Sequence, residues 1–322
     1  MKKLPFLLTI LPICIFAQDL PSVDYHIHIF SDKLLSHFAE RGIKMQGGTF
    51  EVGCQNEACS NLDTIRKSST DKLVLLSGSY AYEIETMDCT PEEYEKIVQA
   101  ENDFVQKIVY SDRENLYGLS GINPKWNFAS REVIRTLKEL KLDGIKMHLQ
   151  GNQIDIDEPE IRDSLKNIFK ILSVNDKIAL IHLNGSDVNS GTELARSFIT
   201  NYLLNEDKQK IVFAHAAGPG GVYPFTLDML SEFELFMKSN DYAKHKLLYF
   251  EISGVLLSFR YPGKVDHKVF YEKMKSIGED RFLFGSDYPF RTSASYLDQI
   301  KAEMEHNNIN LDSILTRNIF EN

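Results

Sequence analysis

The feature that most constrains this chain is an alternation of texture. Eight short runs of β-branched, aliphatic and aromatic residues recur along it, at 23–30, 73–79, 116–122, 144–149, 178–183, 211–214, 247–252 and 282–284, with helix-like stretches between them. Strand followed by helix, repeated, is the pattern of a parallel sheet with crossover helices. Pro91 after Thr90 marks the first turn of a helix expected over 91–110, and residues 131–140 carry apolar side chains at helical spacing. Eight such units fit a closed (β/α)8 barrel better than an open sheet, and no strand is followed by the Gly-x-Gly-x-x-Gly of dinucleotide sites. No linker rich in Pro, Gly or Ser divides the chain, so a single barrel domain over 18–322 is expected. The longest irregular stretch, 47–60, reads as an excursion after the first strand, where barrels place loops that cover a substrate.

Composition narrows the function classes. With 43% hydrophobic and 25% charged residues the chain can build a sizeable core. A net charge of -10 without any Lys/Arg-rich stripe argues against a nucleic-acid partner, because phosphate neutralisation needs clustered cations. A small-molecule substrate is the expected partner. Met1-Lys2-Lys3 and the apolar run from Leu4 to Phe16 have the form of a secretory signal over 1–17, with cleavage after Ala17. Lipoprotein anchoring at Cys14 is the weaker alternative, since bulky Ile13 precedes it. Export to the periplasm or the extracellular space is therefore expected, and no later run is long enough to span a membrane. Export puts Cys54, Cys59 and Cys89 in an oxidising space, where three thiols make one disulfide and leave one free. Which two pair is left open; a loop staple is expected rather than a zinc site.

The chemistry gathers at strand ends. In Asp24-Tyr25-His26-Ile27-His28-Ile29-Phe30, alternation puts His26 and His28 on one face and Ile27 and Ile29 on the other, so both imidazoles can share an ion. Lys146 and His148 end the fourth run, His182 the fifth, His215 the sixth and Asp287 the eighth. In a (β/α)8 barrel those ends converge on one face, where catalytic residues collect. A single buried histidine is more often a satisfied core residue than a ligand, but five of the nine histidines at matching strand ends are not independent accidents.

These pieces carry a resemblance. His26-Ile27-His28, Gly144-Ile145-Lys146-Met147-His148, Leu180-Ile181-His182, Phe213-Ala214-His215-Ala216-Ala217-Gly218 and Phe284-Gly285-Ser286-Asp287-Tyr288-Pro289 span nearly the whole chain. In that order the sequence resembles the amidohydrolase superfamily, in particular the amidohydrolase-related group that includes aromatic-acid decarboxylases and dicarboxylate lactonases. The resemblance implies a (β/α)8 barrel in which His26, His28, His182 and Asp287 bind one divalent cation, commonly zinc. It implies that His215 orients or deprotonates the water. Some relatives carboxylate a strand-four lysine to bridge two metals, and Lys146 stands where that would occur. His148 is an extra imidazole that many two-metal relatives lack.

Three imidazoles and a carboxylate suit Zn2+ with room for a water whose pKa falls to about 7. One ion is expected, with two as the alternative. Asp287 is a ligand and a candidate base; Lys146 is either an oxyanion partner or half of a structural ion pair. His148, Asn184 and Arg291 are candidate substrate contacts, Arg291 through a bidentate bond to a carboxylate. Tyr80, Tyr82, Asn123 and Trp126 follow the second and third runs and are expected in the pocket wall. The first functional reading is hydrolysis of a small ester, lactone or amide. Non-oxidative decarboxylation of an unsaturated or aromatic acid is the second, and a non-catalytic metal-dependent binding barrel the third.

Overall fold

The computed structural model describes residues 20–43, 45, 50–83, 87–183, 190–204, 208–242, 246–256 and 266–321. The expected signal segment and Asn184 lie outside these residues. Eight strands, β1 (Val23–Ile29), β2 (Lys72–Ser77), β3 (Leu116–Gly121), β4 (Gly144–His148), β5 (Ile178–His182), β6 (Gln209–Phe213), β7 (Lys246–Glu251) and β8 (Phe282–Leu283), form one sheet in sequential order. Every ladder is parallel. Each expected run falls within two residues of the observed ends. β8 has only two residues, so closure onto β1 is made by the segment after it. Tyr25 N–H donates to the Phe284 carbonyl at 3.0 Å, and Tyr288 exchanges backbone bonds with His26 and His28 at 3.0 and 2.9 Å. The molecule is thus a single-domain (β/α)8 barrel.

The crossovers carry α1 (Asp32–Glu40), α2 (Leu62–Arg66), α3 (Pro91–Val109), α4 (Ala129–Lys138), α5 (Pro159–Val174), α6 (Gly191–Phe198), α7 (Pro224–Lys238), α8 (His267–Ile277), α9 (Ser293–His306) and α10 (Leu311–Leu315). α3 begins as Thr90-Pro91 suggests: the Thr90 hydroxyl accepts from Glu93 N–H at 3.3 Å while the Glu93 carboxylate accepts from Thr90 N–H at 2.8 Å. This reciprocal cap stabilises the helix start by about 1 kcal/mol. None of the described helices is long and apolar enough to cross a membrane.

Two layers of core result from strand alternation. Val23, Tyr25, Val74, Leu76, Leu119, Leu180, Val212 and Leu283 pack together inside the barrel, while Ile27, Ile29, Leu73, Leu75 and Leu116 pack outward with Val105 and Val109 of α3. β1 supplies odd-numbered residues to both layers because its register shifts between Asp24 and Ile27. That bulge lets Tyr25 point inward below His26 and His28 without turning the imidazoles outward. The C-terminal segment plugs the lower end: Ile319 joins the inner layer, its N–H donates to the Tyr25 hydroxyl at 2.9 Å, and Phe320 stacks on Tyr117 at 4.0 Å. With that end filled, the opposite mouth, where the strands terminate, is left for ligands.

Candidate metal centre and active site

At that mouth a cavity of about 380 Å³ is lined by His28, Phe30, Phe38, Met45, Tyr80, Ala81, Lys146, His148, Gln150, His182, His215, Pro219, Asp287 and Phe290. Around it His26 Nε2 lies 3.1 Å from His28 Nε2 and 3.6 Å from Asp287 Oδ1, and His28 Nε2 lies 3.5 Å from that oxygen. A tetrahedral ion with bonds of about 2.0–2.1 Å has ligand-to-ligand edges of roughly 3.4 Å, so these three donors fit one coordination sphere. His182 lines the same cavity, and its buried Nε2 has no hydrogen-bond partner among the described residues. Among the described residues it lies outside the two three-residue groups whose donor atoms all fall within 4.8 Å of one another.

Burial prepares these groups electrically. It holds the imidazoles of His26 and His182 well below their ordinary pKa and lowers that of His28, so all three are neutral near pH 7 with a lone pair to offer. His148 is pushed down to about 3 for the same reason. Lys146 is wholly buried, and burial lowers its pKa while Glu251 and Asp287 oppose the loss of its charge. Its Nζ stands 3.4 Å from His26 Nε2.

Sequence reasoning passed over Glu251, the last residue of β7. Its Oε2 accepts from His26 Nδ1 at 2.8 Å, from the Ser253 hydroxyl at 2.9 Å and from His215 N–H at 3.4 Å, and its Oε1 accepts from Ser253 N–H. With the proton on Nδ1, His26 keeps Nε2 free for an ion, a carboxylate orienting a ligand imidazole. Gly285 makes the room: a Cβ there would stand 2.1 Å from Glu251 Oε1. The available signal was a glutamate ending the otherwise apolar run Leu247-Leu248-Tyr249-Phe250. Glu251 also forms a second donor group with His26 and His215, but its oxygens are already committed to four protein donors and it does not line the cavity, whereas His28 and Asp287 of the first group both do.

His215 turns its Nδ1 to the Ser253 carbonyl at 2.8 Å, which in that tautomer leaves Nε2 as the acceptor. His215 and Asp287 both adopt left-handed backbone, at φ 53° and 63°. Non-glycine residues there cost of order 1 kcal/mol or more, a strain that accumulates at functional sites. Asp24, buried at the bulge, ties the two ligand segments together by accepting from His26 N–H and Ser286 N–H at 3.0 Å each and from the Ser293 hydroxyl at 2.6 Å.

The outer candidates divide. His148 stacks on His182 with ring centroids 4.1 Å apart, its Nδ1 accepting from Gly151 N–H at 2.9 Å. Tyr80 lines the same cavity, but Tyr82, Asn123 and Trp126 line a neighbouring one of about 320 Å³ with Lys125 and Asn152. Arg291 is not among the lining residues; it donates to the Phe290 carbonyl, and the Phe290 ring takes the wall position. Cys54 and Cys59 form the disulfide and Cys89 is the free thiol.

A parallel barrel whose strand ends gather imidazoles and a carboxylate around one cavity is the framework of a barrel enzyme with a divalent-metal site. The chain belongs to the amidohydrolase family, whose model matches residues 23–318. Its fold is similar to that of 5-carboxyvanillate decarboxylase from Novosphingobium aromaticivorans, solved with bound manganese, at 14% identity and a TM-score of 0.57 over 92% of this chain and 95% of that one. It is similar to 2,6-dihydroxybenzoate decarboxylase from Rhizobium at 14% identity and a TM-score of 0.58, over 92% and 96% of the two chains. A putative amidohydrolase from Staphylococcus aureus matches at 16% identity and a TM-score of 0.52, over 92% and 96%. No curated protein sequence matches the chain significantly.

Proposed function

We propose that this chain is a metal-dependent hydrolase that adds water to the carbonyl of a small ester, lactone or amide. The observation that carries the reading is the place of Asp287, whose Oδ1 completes the donor set of His26 and His28 while the residue lines the same open cavity as His215. His26, His28, His182 and Asp287 would hold one divalent ion. When bound, such an ion supplies a Lewis acid that polarises a carbonyl and makes water acidic near neutral pH.

The chain's own groups do the rest. Glu251 fixes the tautomer and tilt of His26. Asp287 takes a proton from the water as it adds to the carbonyl carbon. Lys146 supplies a buried cation where the carbonyl oxygen gains charge. The proton that Asp287 takes from the water passes to His215 Nε2, which the bond from Nδ1 to the Ser253 carbonyl leaves as an acceptor, and from there to the departing oxygen or nitrogen as its bond to carbon breaks. His148 contacts the substrate from the cavity wall. Three imidazoles and a carboxylate suit zinc on chemical grounds. Manganese in the Novosphingobium neighbour makes it the other ion to supply in assays.

Decarboxylation of an aromatic or unsaturated acid is the second reading, favoured by the decarboxylases among the structural neighbours. Lys146 would then hold the substrate carboxylate, being the one cation among the described lining residues. Purified protein loaded with Zn2+ or Mn2+ separates the readings when offered lactones, esters, amides and hydroxybenzoates with acid and carbon dioxide release followed in parallel. Acid formation without carbon dioxide is expected. Stoichiometric carbon dioxide would replace hydrolysis with the second reading, and metal uptake without turnover on any of them would favour a binding barrel.

A further inference from the structure

The described part of the excursion after β1, 50–60, lies beside the ligand segments and outside the cavity lining. Its two halves reach the two segments that carry the ligands. On the first half, Val52 N–H donates to the Pro289 carbonyl and Glu51 N–H to the Phe290 carbonyl, each at 3.1 Å, just beyond Asp287. On the second half, the Cys59 carbonyl accepts from the Tyr288 hydroxyl at 2.7 Å. The adjacent Ser60 hydroxyl accepts from Phe30 N–H at 2.7 Å and donates to the Phe30 carbonyl at 3.0 Å, two residues past His28. The Cys54–Cys59 disulfide joins the halves. Cys54, Cys59, Ser60 and Tyr288 are all buried, so these bonds form away from competing water. The backbone of Tyr288 in turn pairs with His26 and His28.

We propose that Ser60, Tyr288 and the Cys54–Cys59 disulfide are positioning residues of the metal centre, a cross-linked clamp that holds His28 and Asp287 at one coordination distance. The inference rests on the metal-centre reading above. β8 is too short to fix Asp287 by strand pairing, since its two residues end four positions before it. The backbone bonds of Tyr288 with β1 and the tie of Asp24 to Ser286 hold the segment on one side, the excursion adds a restraint on Tyr288, Pro289 and Phe290, and the disulfide keeps its two halves acting as one body. An ion gains affinity when its ligands are held in place before it arrives, and residues that hold ligands typically matter by 10–100-fold in metal affinity. The clamp touches neither ion nor substrate, so it acts through the ligands alone.

The test measures Zn2+ and Mn2+ dissociation constants of the full chain by competition with a chromophoric chelator, and the visible spectrum of the Co2+-loaded protein. The variants are Tyr288→Phe, Ser60→Ala, the Cys54→Ser/Cys59→Ser pair, and Cys89→Ser as a control. Tyr288→Phe keeps the ring and deletes only the bond to Cys59, so it stays informative even if the paired serine variant does not fold. The dissociation constant is expected to rise about tenfold in Tyr288→Phe and in Ser60→Ala, with a shifted Co2+ spectrum, and to stay unchanged in Cys89→Ser. A purely structural clamp would lower the thermal midpoint and leave both readouts alone; affinities within twofold of the unaltered chain in Tyr288→Phe and Ser60→Ala overturn the proposal. An unaltered chain that binds no divalent ion overturns the metal-centre reading and the clamp together.

Discussion

Asp287→Ala is expected to fold, to lose more than about 100-fold in divalent-metal affinity and to show no measurable turnover. The reason is that one carboxylate serves twice. Its Oδ1 closes the triangle with His26 Nε2 and His28 Nε2, and the same group faces the cavity as the candidate base. Removing it leaves only the imidazoles of His26, His28 and His182 beside the buried ammonium of Lys146, whose charge then loses one of the two carboxylates that offset it, Glu251 remaining, and repels an incoming cation more strongly. Asp287→Asn keeps an oxygen donor without the charge and should bind metal more weakly than the unaltered chain while remaining inactive. Elemental analysis after dialysis, alongside circular dichroism to confirm the fold, decides the matter. Full metal content in Asp287→Ala would remove it from the ligand set.

His215→Ala should behave differently. Its metal content is expected to match that of the unaltered chain while kcat falls by roughly 10²–10⁴, the usual worth of a positioned proton-transfer group. His215 spends Nδ1 on the Ser253 carbonyl and stands outside the donor triangle of His26, His28 and Asp287. The variant also discriminates between the two donor groups that share His26. If the ion sat instead among His26, His215 and Glu251, the alanine would strip the metal. Parallel measurement of kcat, KM and metal content therefore reports both the role of His215 and the side of His26 on which the ion binds. Loss of metal in step with loss of rate would overturn the assignment.

How much of this was readable beforehand follows from the range of the interactions involved. Strand alternation and position along a strand are local properties, so His26, His28, Lys146, His148 and His182 could be placed on one face and at one end of a barrel. The residues missed depend on partners far away in sequence. Glu251 sits 225 residues from the imidazole it orients, and nothing near it in the chain distinguishes a carboxylate turned inward from one at a strand edge. The bulge between Asp24 and Ile27 depends on hydrogen bonds from Ser286 and Ser293, which lie some 260 residues on. Loop direction is equally hidden: four residues after Asp287, Arg291 is a candidate substrate contact by position, while nothing local marks Phe290 as the residue of that turn that lines the cavity. Tyr82, Asn123 and Trp126 follow the expected strands but line another cavity, whose lining residue Asn152 donates its amide to the carbonyl of Tyr80, a residue of the first cavity, at 2.8 Å. The pairing of Cys54 with Cys59 was one of three options, and only the fold of the excursion chooses it.

Anomalous diffraction from crystals of the metal-loaded protein, with titration of the apoprotein, tests whether His26, His28 and Asp287, with His182 beside them, hold a single ion. One anomalous peak per chain is expected within bonding distance of His26 Nε2, His28 Nε2 and Asp287 Oδ1, with an unmodified Lys146 amine and activity that saturates at one equivalent. Two peaks bridged by extra density on the Lys146 amine, with activity saturating only at two equivalents, or a lone peak beside Glu251 and His215, would contradict it.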